Sequence, residues 1–207
     1  LLLTLTRFKL GASYPFGDYV AGVSYTFENA TFDASPANDY SISIISGALA
    51  FGDVENYRQE RANLYGHTVL SYGFGKGYSY LQQTAELNFW YRIIGRIYIL
   101  STTRVGVTYL GTAPVTKQFY IGGSTDLKGW NAYSFNPGHF VFEAVEAGVP
   151  LTEGFGIAPS DELSAYIPKL YLMGVAGTDK TLGLSIGIGF EWRTPLGIAF
   201  EPQIFFG

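Results

Sequence analysis

Apolar and polar residues alternate along most of the chain with a period of two. The clearest segment is 182–193, where Leu184 and Ile186 are each flanked by glycine or serine. Similar alternation runs through residues 78–93 and 96–110. Because successive side chains of a β-strand point to opposite faces of its sheet, this pattern predicts strands that each carry one apolar and one polar face.

The alternation is divided by turn signals rich in glycine and proline, and it predicts ten strands. They lie at residues 2–13, 18–32, 39–52, 58–73, 77–92, 95–110, 138–150, 164–177, 181–193 and 197–206. Several of these segments have about 12–15 residues, whereas strands of soluble sheets usually have about 5–6. Such lengths suit strands that cross a bilayer at a tilt and extend beyond it.

Composition favours a membrane protein of the β type. Hydrophobic residues make up 47% of the 207 and charged residues only 14%, against about 25% charged in an average soluble domain. No run approaches the roughly 18 apolar residues of a membrane helix, so a closed barrel is the remaining way to span a bilayer. The 16 Tyr, 16 Phe and 3 Trp fit aromatic girdles at the membrane interfaces.

The predicted fold is therefore all-β, a transmembrane antiparallel β-barrel whose apolar face meets lipid. A soluble β-sandwich or ligand-binding barrel with an aromatic core is the alternative, and it would place the apolar face inside. Strand length favours the membrane barrel.

Several other classes of function find no support in the residues. The chain has no cysteine for disulfides, and its formal charge of −4 offers no basic field for nucleic acid. His67 and His139 lack metal-ligand spacing and are interpreted as pore-lining or rim residues. No hydrolase, metallopeptidase or phosphate-loop motif is present. We therefore expect no enzyme activity, metal or cofactor.

A long connection at residues 111–137 separates two of the predicted strands. Connections of this length are uncommon in compact domains and are usually functional or disordered. This one carries aromatic, glycine and charged residues in a defined order, which favours function. The order is Phe119-Tyr120-Ile121-Gly122-Gly123, a short spacer, and then Leu127-Lys128-Gly129-Trp130.

This order resembles the sixth-loop signature of the BamA-like outer-membrane superfamily, which includes bacterial surface antigens, TamA and two-partner-secretion transporters. That signature reads Phe-x-hydrophobic-Gly-Gly, a spacer, and hydrophobic-Arg-Gly-aromatic; Lys128 stands in the place of Arg. Residues 143–151 are similar to the strand that follows the family loop and ends in Pro-Leu. Residues 182–200 are similar to the penultimate family hairpin, so the resemblance covers 95–207.

The resemblance implies that the loop folds into the barrel lumen. Its motif residues are Gly122, Gly123, Leu127, Lys128, Gly129 and Trp130. In the family, the motif Arg meets acidic groups on barrel strands, and Val175 stands where one such Asp is expected. Another lumenal carboxylate could replace it as the partner of Lys128, and the candidates are Glu143, Glu146 and Glu191. A weaker lock than in the family, or a solvated loop lysine, is the alternative.

The resemblance also implies an overall layout. Residues 1–207 form a single outer-membrane barrel domain, expected to be incomplete at both ends because the family's termini are periplasmic. Twelve strands are expected in all, and sixteen are an alternative. The chain opens on a strand and not on a signal peptide, so we expect a fragment or a processed chain, or a short form that lacks POTRA domains.

The function that the resemblance implies is insertion of proteins into, or translocation across, the outer membrane of Gram-negative bacteria or of an organelle derived from one. The barrel anchor of an autotransporter-type secreted enzyme is an alternative, and a passive pore or structural barrel is another. The expected partners are the lipid bilayer and substrate outer-membrane or secreted proteins. A homodimer is expected from strands left without a neighbour at the seam.

Overall fold

The computed structural model describes residues 3–32, 38–52, 62–94, 97–123, 127–132, 134–149, 166–177, 182–193, 199–200 and 202–207, with the backbone alone at residues 3, 166–167, 191–193 and 199–200. One antiparallel sheet contains all the described strands. They are β1 (Leu3–Phe16), β2 (Tyr19–Phe32), β3 (Tyr40–Phe51), β4 (Ala62–Gly75), β5 (Tyr78–Ile94), β6 (Ile97–Thr112), β7 (His139–Gly148), β8 (Tyr166–Gly177), β9 (Leu182–Arg193), β10 (Ala199–Phe200) and β11 (Gln203–Phe206). Neighbours in the chain are neighbours in the sheet from β1 to β10.

Each predicted strand has a counterpart, and the sequence prediction erred mainly at the strand ends. The predicted tenth strand is divided into β10 and β11, which both pair with β9. Pro202 lies between the two pieces, and proline has no amide hydrogen to donate to a sheet ladder. Among the described residues, no helix has the length and apolar character of a membrane span.

The two faces of the sheet have opposite character. One face exposes large apolar side chains, for example Leu184, Ile186 and Ile188 at 62%, 52% and 60% of their surface. The other face buries polar groups such as Glu28 and Lys169. Soluble proteins show the reverse distribution, whereas membrane barrels turn their apolar side chains to lipid. The structure confirms an all-β antiparallel sheet of the membrane-barrel type with its apolar face outward, which we call the outer wall.

The polar face encloses a common interior, which we call the lumen. The connection between β6 and β7 contacts β2 and β3 through one part of its length and β8 and β9 through another. The two walls that it touches therefore lie across the interior from each other. The described pairings do not join β1 to β10 or β11.

Ile186 provides a test of which face meets lipid. We expect Ile186→Arg to reduce the free energy of unfolding by about 2–4 kcal/mol, because a guanidinium near the bilayer midplane loses its hydration. The matched control is Thr84→Arg, which places the same side chain in the lumenal cavity described below and should cost far less. Urea unfolding of both variants in lipid vesicles measures the difference. Equal costs would contradict the orientation of the sheet.

Candidate functional site: the lumen-docked loop

The loop between β6 and β7 covers residues 113–138, and its described contacts with the sheet are on the lumenal face. It begins with a 3-10 turn at Val115–Lys117. Farther along, Ile121 and Phe135 exchange backbone hydrogen bonds of 3.0 and 3.1 Å, so the two arms of the loop are paired. The described part of the loop therefore has a defined backbone structure of its own.

The glycines of the motif are required by the backbone. Gly122, Gly123 and Gly129 have φ angles of 122°, 90° and 90°, a region that L side chains rarely adopt. A Cβ atom on Gly122 would also lie 2.4 Å from the carbonyl oxygen of Asn131. The glycine positions in the motif thus follow from the shape of the loop.

The motif half of the loop docks on an apolar cluster, which we call the rear anchor. Leu127 is completely buried there and fills space above Gly183, whose absent Cβ would lie 2.6 Å from Leu127 Cδ2. Val175, where the resemblance expects an Asp, is buried in the same cluster. The complete set of buried members is Ile121, Leu127, Phe142, Tyr171, Met173 and Val175. Apolar contact therefore surrounds Val175, the position at which the family has an acidic partner of the motif cation.

Lys128 lies beside this cluster with its ammonium over two aromatic rings. Its Nζ atom is 5.4 Å from the ring centroid of Tyr171 and 5.2 Å from that of Phe205. The same Nζ donates a hydrogen bond to Gln203 Oε1 at 2.5 Å. The backbone carbonyl of Lys128 accepts a hydrogen bond from the Ser185 hydroxyl. Ring faces and an amide oxygen both attract a cation, so this environment holds the Lys128 charge inside the lumen.

Trp130 completes the rear anchor. Its indole Nε1–H donates to the carbonyl oxygen of Leu184 in β9 at 2.8 Å. Its ring lies against Phe135, with 5.0 Å between the ring centroids. The large side chain of the motif is thus fixed to the inner wall through both its apolar ring and its polar atom.

The structure corrects one of the three carboxylates considered for Lys128. Glu143 lies on the outer wall, where its two oxygens accept hydrogen bonds of 2.5 Å from the hydroxyls of Ser101 and Thr103. Thr102, between those two residues, points into the lumen and donates to the buried Asn88. The physical reason is the two-residue period of a strand: Glu143 and Glu146 are three positions apart and must face opposite sides.

Glu146 does point into the lumen, where it contacts Lys169 and Tyr98. Lys169 Nζ lies 3.2 Å from Glu146 Oε1, and the Tyr98 hydroxyl donates to the same oxygen at 2.7 Å. The Glu191 side chain lies outside the described residues. The described contacts of the Lys128 ammonium include the Gln203 amide and two rings.

A second attachment of the loop, which we call the front anchor, was missed by sequence reasoning. Lys117 Nζ lies 2.7 Å from Oε2 of Glu28 in β2, and Arg7 Nε lies 2.7 Å from the same oxygen. The Tyr40 hydroxyl donates to Glu28 Oε1 at 2.6 Å and also contacts the Thr116 hydroxyl. Glu28 is completely buried. The loop is therefore tied to the β2–β3 wall through a carboxylate that holds two cations.

The two histidines lie on strands of the sheet, His67 in β4 and His139 at the start of β7. His139 Nδ1 accepts a hydrogen bond from the amide of Thr108 at 3.2 Å, at the rim where β6 and β7 meet the loop. No group of three or more potential metal ligands occurs within the described part of the chain.

Lys128 gives a test of the rear anchor. We expect Lys128→Met, which keeps the length of the apolar stem, to lower the free energy of unfolding by about 2 kcal/mol through loss of the cation–ring and amide contacts. Lys128→Arg should retain most of the stability, because guanidinium also binds ring faces and amide oxygens. Urea unfolding in micelles and proteinase K digestion of the loop measure the effect. A Met variant as stable and as protected as the wild type would show that the charge is not part of the anchor.

A solved structure shares the fold of this chain at low sequence identity. No family model matches the chain, and no curated protein matches it. Among solved structures, the chain is similar to BamA from Haemophilus ducreyi lacking POTRA domains 1–3, with a TM-score of 0.51 and 11% sequence identity. The similarity covers 97% of this chain and 59% of that one. At this identity the likeness concerns the fold, so the chain has a BamA-like barrel fold that spans about three fifths of its structural neighbour.

Proposed function

We propose that this protein is an outer-membrane barrel that inserts other proteins into the membrane or translocates them across it. The observation that carries the proposal is the rear anchor. A loop with the BamA-like glycine, cation and aromatic order is docked on the inner wall of a barrel with the BamA-like fold. The positive φ angles of its glycines and the burial of Leu127 support structural roles for these motif residues.

The proposed location, the outer membrane, is supported by the outer wall. Apolar side chains remain exposed on strands from both ends of the sheet, including Phe8, Leu10, Ile186 and Phe206. A continuous apolar surface of this kind is stable against lipid and is a liability in water. Zero cysteines also suit an oxidising envelope compartment.

The experiment that tests the proposed activity uses proteoliposomes. Wild-type protein is reconstituted, a urea-unfolded outer-membrane barrel is added as substrate, and its folding is followed by the mobility shift of unheated samples in gels. We expect faster folding than in empty liposomes, and a reduced rate with Leu127→Ala. Leu172→Ala, on the outer wall, is the matched control. A folding rate equal to that in empty liposomes would contradict an insertion activity.

A passive pore is the second candidate, because one half of the lumen is open. A cavity of about 540 Å³ lies against the inner faces of β1–β5. No specific observation favours the barrel anchor of a secreted enzyme.

Self-association stays a prediction. The described pairings leave one edge of β1 and one of β11 without a strand partner, and such edges can pair with another chain. Native mass spectrometry in mild detergents should show dimers, and a monomer at all dilutions would contradict the expectation.

A further inference from the structure

The two halves of the lumen differ in chemistry. The rear anchor fills the half next to β7–β11 with apolar side chains. The other half keeps the cavity of about 540 Å³, lined by the inner faces of β1–β5 and by Lys117 of the loop. A cavity of this volume is large enough for a small solute with its water.

The charge of this cavity is positive. Arg7, Lys9 and Lys117 line it, and none of the described lining residues is acidic. Glu28, which contacts Arg7 and Lys117, is completely buried behind them. The three cations are therefore accompanied by one carboxylate, although the whole chain has a formal charge of −4. The basic cavity is a local arrangement that composition does not explain.

Two other described carboxylates in the lumen each form an ion pair with a cation. Glu86 lies 3.4 Å from Arg104, and Glu146 lies 3.2 Å from Lys169. Lys9 has no carboxylate among its described contacts, and its side chain is exposed to the cavity. The positive charge of Lys9 can therefore attract a ligand. So can the one positive charge in excess where Arg7 and Lys117 share Glu28.

Neutral hydrogen-bonding groups surround these cations. The described lining includes the side chains of Ser13, Ser24, Thr26, Ser71 and Gln82. Hydroxyl and amide groups donate hydrogen bonds to oxyanions without adding charge. Low-dielectric walls strengthen the attraction between the cations and an anion inside such a cavity.

We propose that this cavity is an anion-binding site for small oxyanions, the phosphate, sulfate or carboxylate groups of a solute or of a lipid. Lys9 supplies positive charge, together with the sides of Arg7 and Lys117 that face the cavity and not Glu28. The hydroxyl groups complete the shell of donors around the anion. The site uses the open half of the lumen and does not depend on a protein-insertion activity.

The test measures binding of inorganic phosphate to the full chain in zwitterionic lipid nanodiscs by line broadening of its ³¹P NMR signal. We expect saturable binding that weakens about tenfold in Lys9→Gln, through loss of one charge-assisted hydrogen bond. The matched control is Lys76→Gln, in the exposed turn between β4 and β5, which should bind as the wild type does. Both lysines are exposed, so neither change should affect folding. Absence of saturable binding, or equal weakening in both variants, would overturn the proposal.

Two further arms complete the test. In nanodiscs of anionic phospholipid, reduced phosphate binding would identify a lipid phosphate as the occupant, and unchanged binding would identify a soluble anion. In planar bilayers with a KCl gradient, any current should reverse at a potential that shows anion preference. A cation-selective current would overturn the proposal. If no current flows, the phosphate titration decides.

Discussion

Glu28→Gln is expected to lower the free energy of unfolding by about 3 kcal/mol and to release the first part of the loop. The substitution keeps the shape and an acceptor for the Tyr40 hydroxyl but removes the charge that holds Arg7 and Lys117. Breaking a buried ion pair costs about 3–5 kcal/mol. We expect the lower end, because the side chain of Arg7 is 49% exposed and can turn toward the cavity.

Limited trypsin digestion in liposomes gives the sharper measurement. Cleavage after Lys117 should be slow in the wild type and fast in Glu28→Gln, while Lys128 stays protected by the rear anchor. Glu86→Gln is the control, since it removes a lumenal carboxylate whose described contacts, Arg104 and Asn88, do not include the loop. Equal protection of Lys117 in both variants would show that Glu28 does not hold the loop.

Leu127→Ala is expected to cost about 3 kcal/mol, within the range for removing a buried leucine side chain. Leu127 is completely buried between the loop and Gly183, so truncation leaves a cavity that the rigid strands cannot close. The motif arm should detach, and trypsin should then cleave after Lys128 while Lys117 remains protected.

The control for this variant is Leu172→Ala on the outer wall, where 56% of the leucine surface is exposed. Lipid chains can fill the space left there, so the cavity term is absent and the loss of stability should be smaller. Urea unfolding in lipid vesicles compares the two. A cost for Leu127→Ala no greater than for Leu172→Ala would contradict the docking of the motif.

The strands could be predicted because their pattern is local. Alternation with a period of two and turns rich in glycine and proline are properties of neighbouring residues, and they located every strand. The end of the chain was less regular because Pro202 interrupts the last ladder. The docking of the loop was expected from the motif, whose glycines do adopt the conformations that favour glycine.

The charge pairs could not be predicted, since they join distant parts of the chain. Lys117 and Glu28 are 89 positions apart, and nothing in a single sequence marks them as partners. Glu143 could have been separated from Glu146 by strand parity, yet which of the two faces the lumen depends on the register with β6. The resemblance implied a carboxylate partner for Lys128; the contacts with Gln203 and two aromatic rings could not be predicted, because they too join distant parts of the chain.

The proposed function depends on a loop that is folded into the lumen and fixed on its inner wall. The most direct measurement replaces Trp130 with the photocrosslinker p-benzoyl-phenylalanine in proteoliposomes, and maps the products by mass spectrometry. The structure predicts intramolecular crosslinks to β9 near Leu184 and to the end of β11, because the indole contacts the Leu184 carbonyl and lies against Gly207. The same probe at Phe206, exposed on the outer wall, should crosslink to lipid. Absence of crosslinks from position 130 to the barrel strands, with the probe crosslinked to lipid or left unreacted instead, would contradict the docking of the loop.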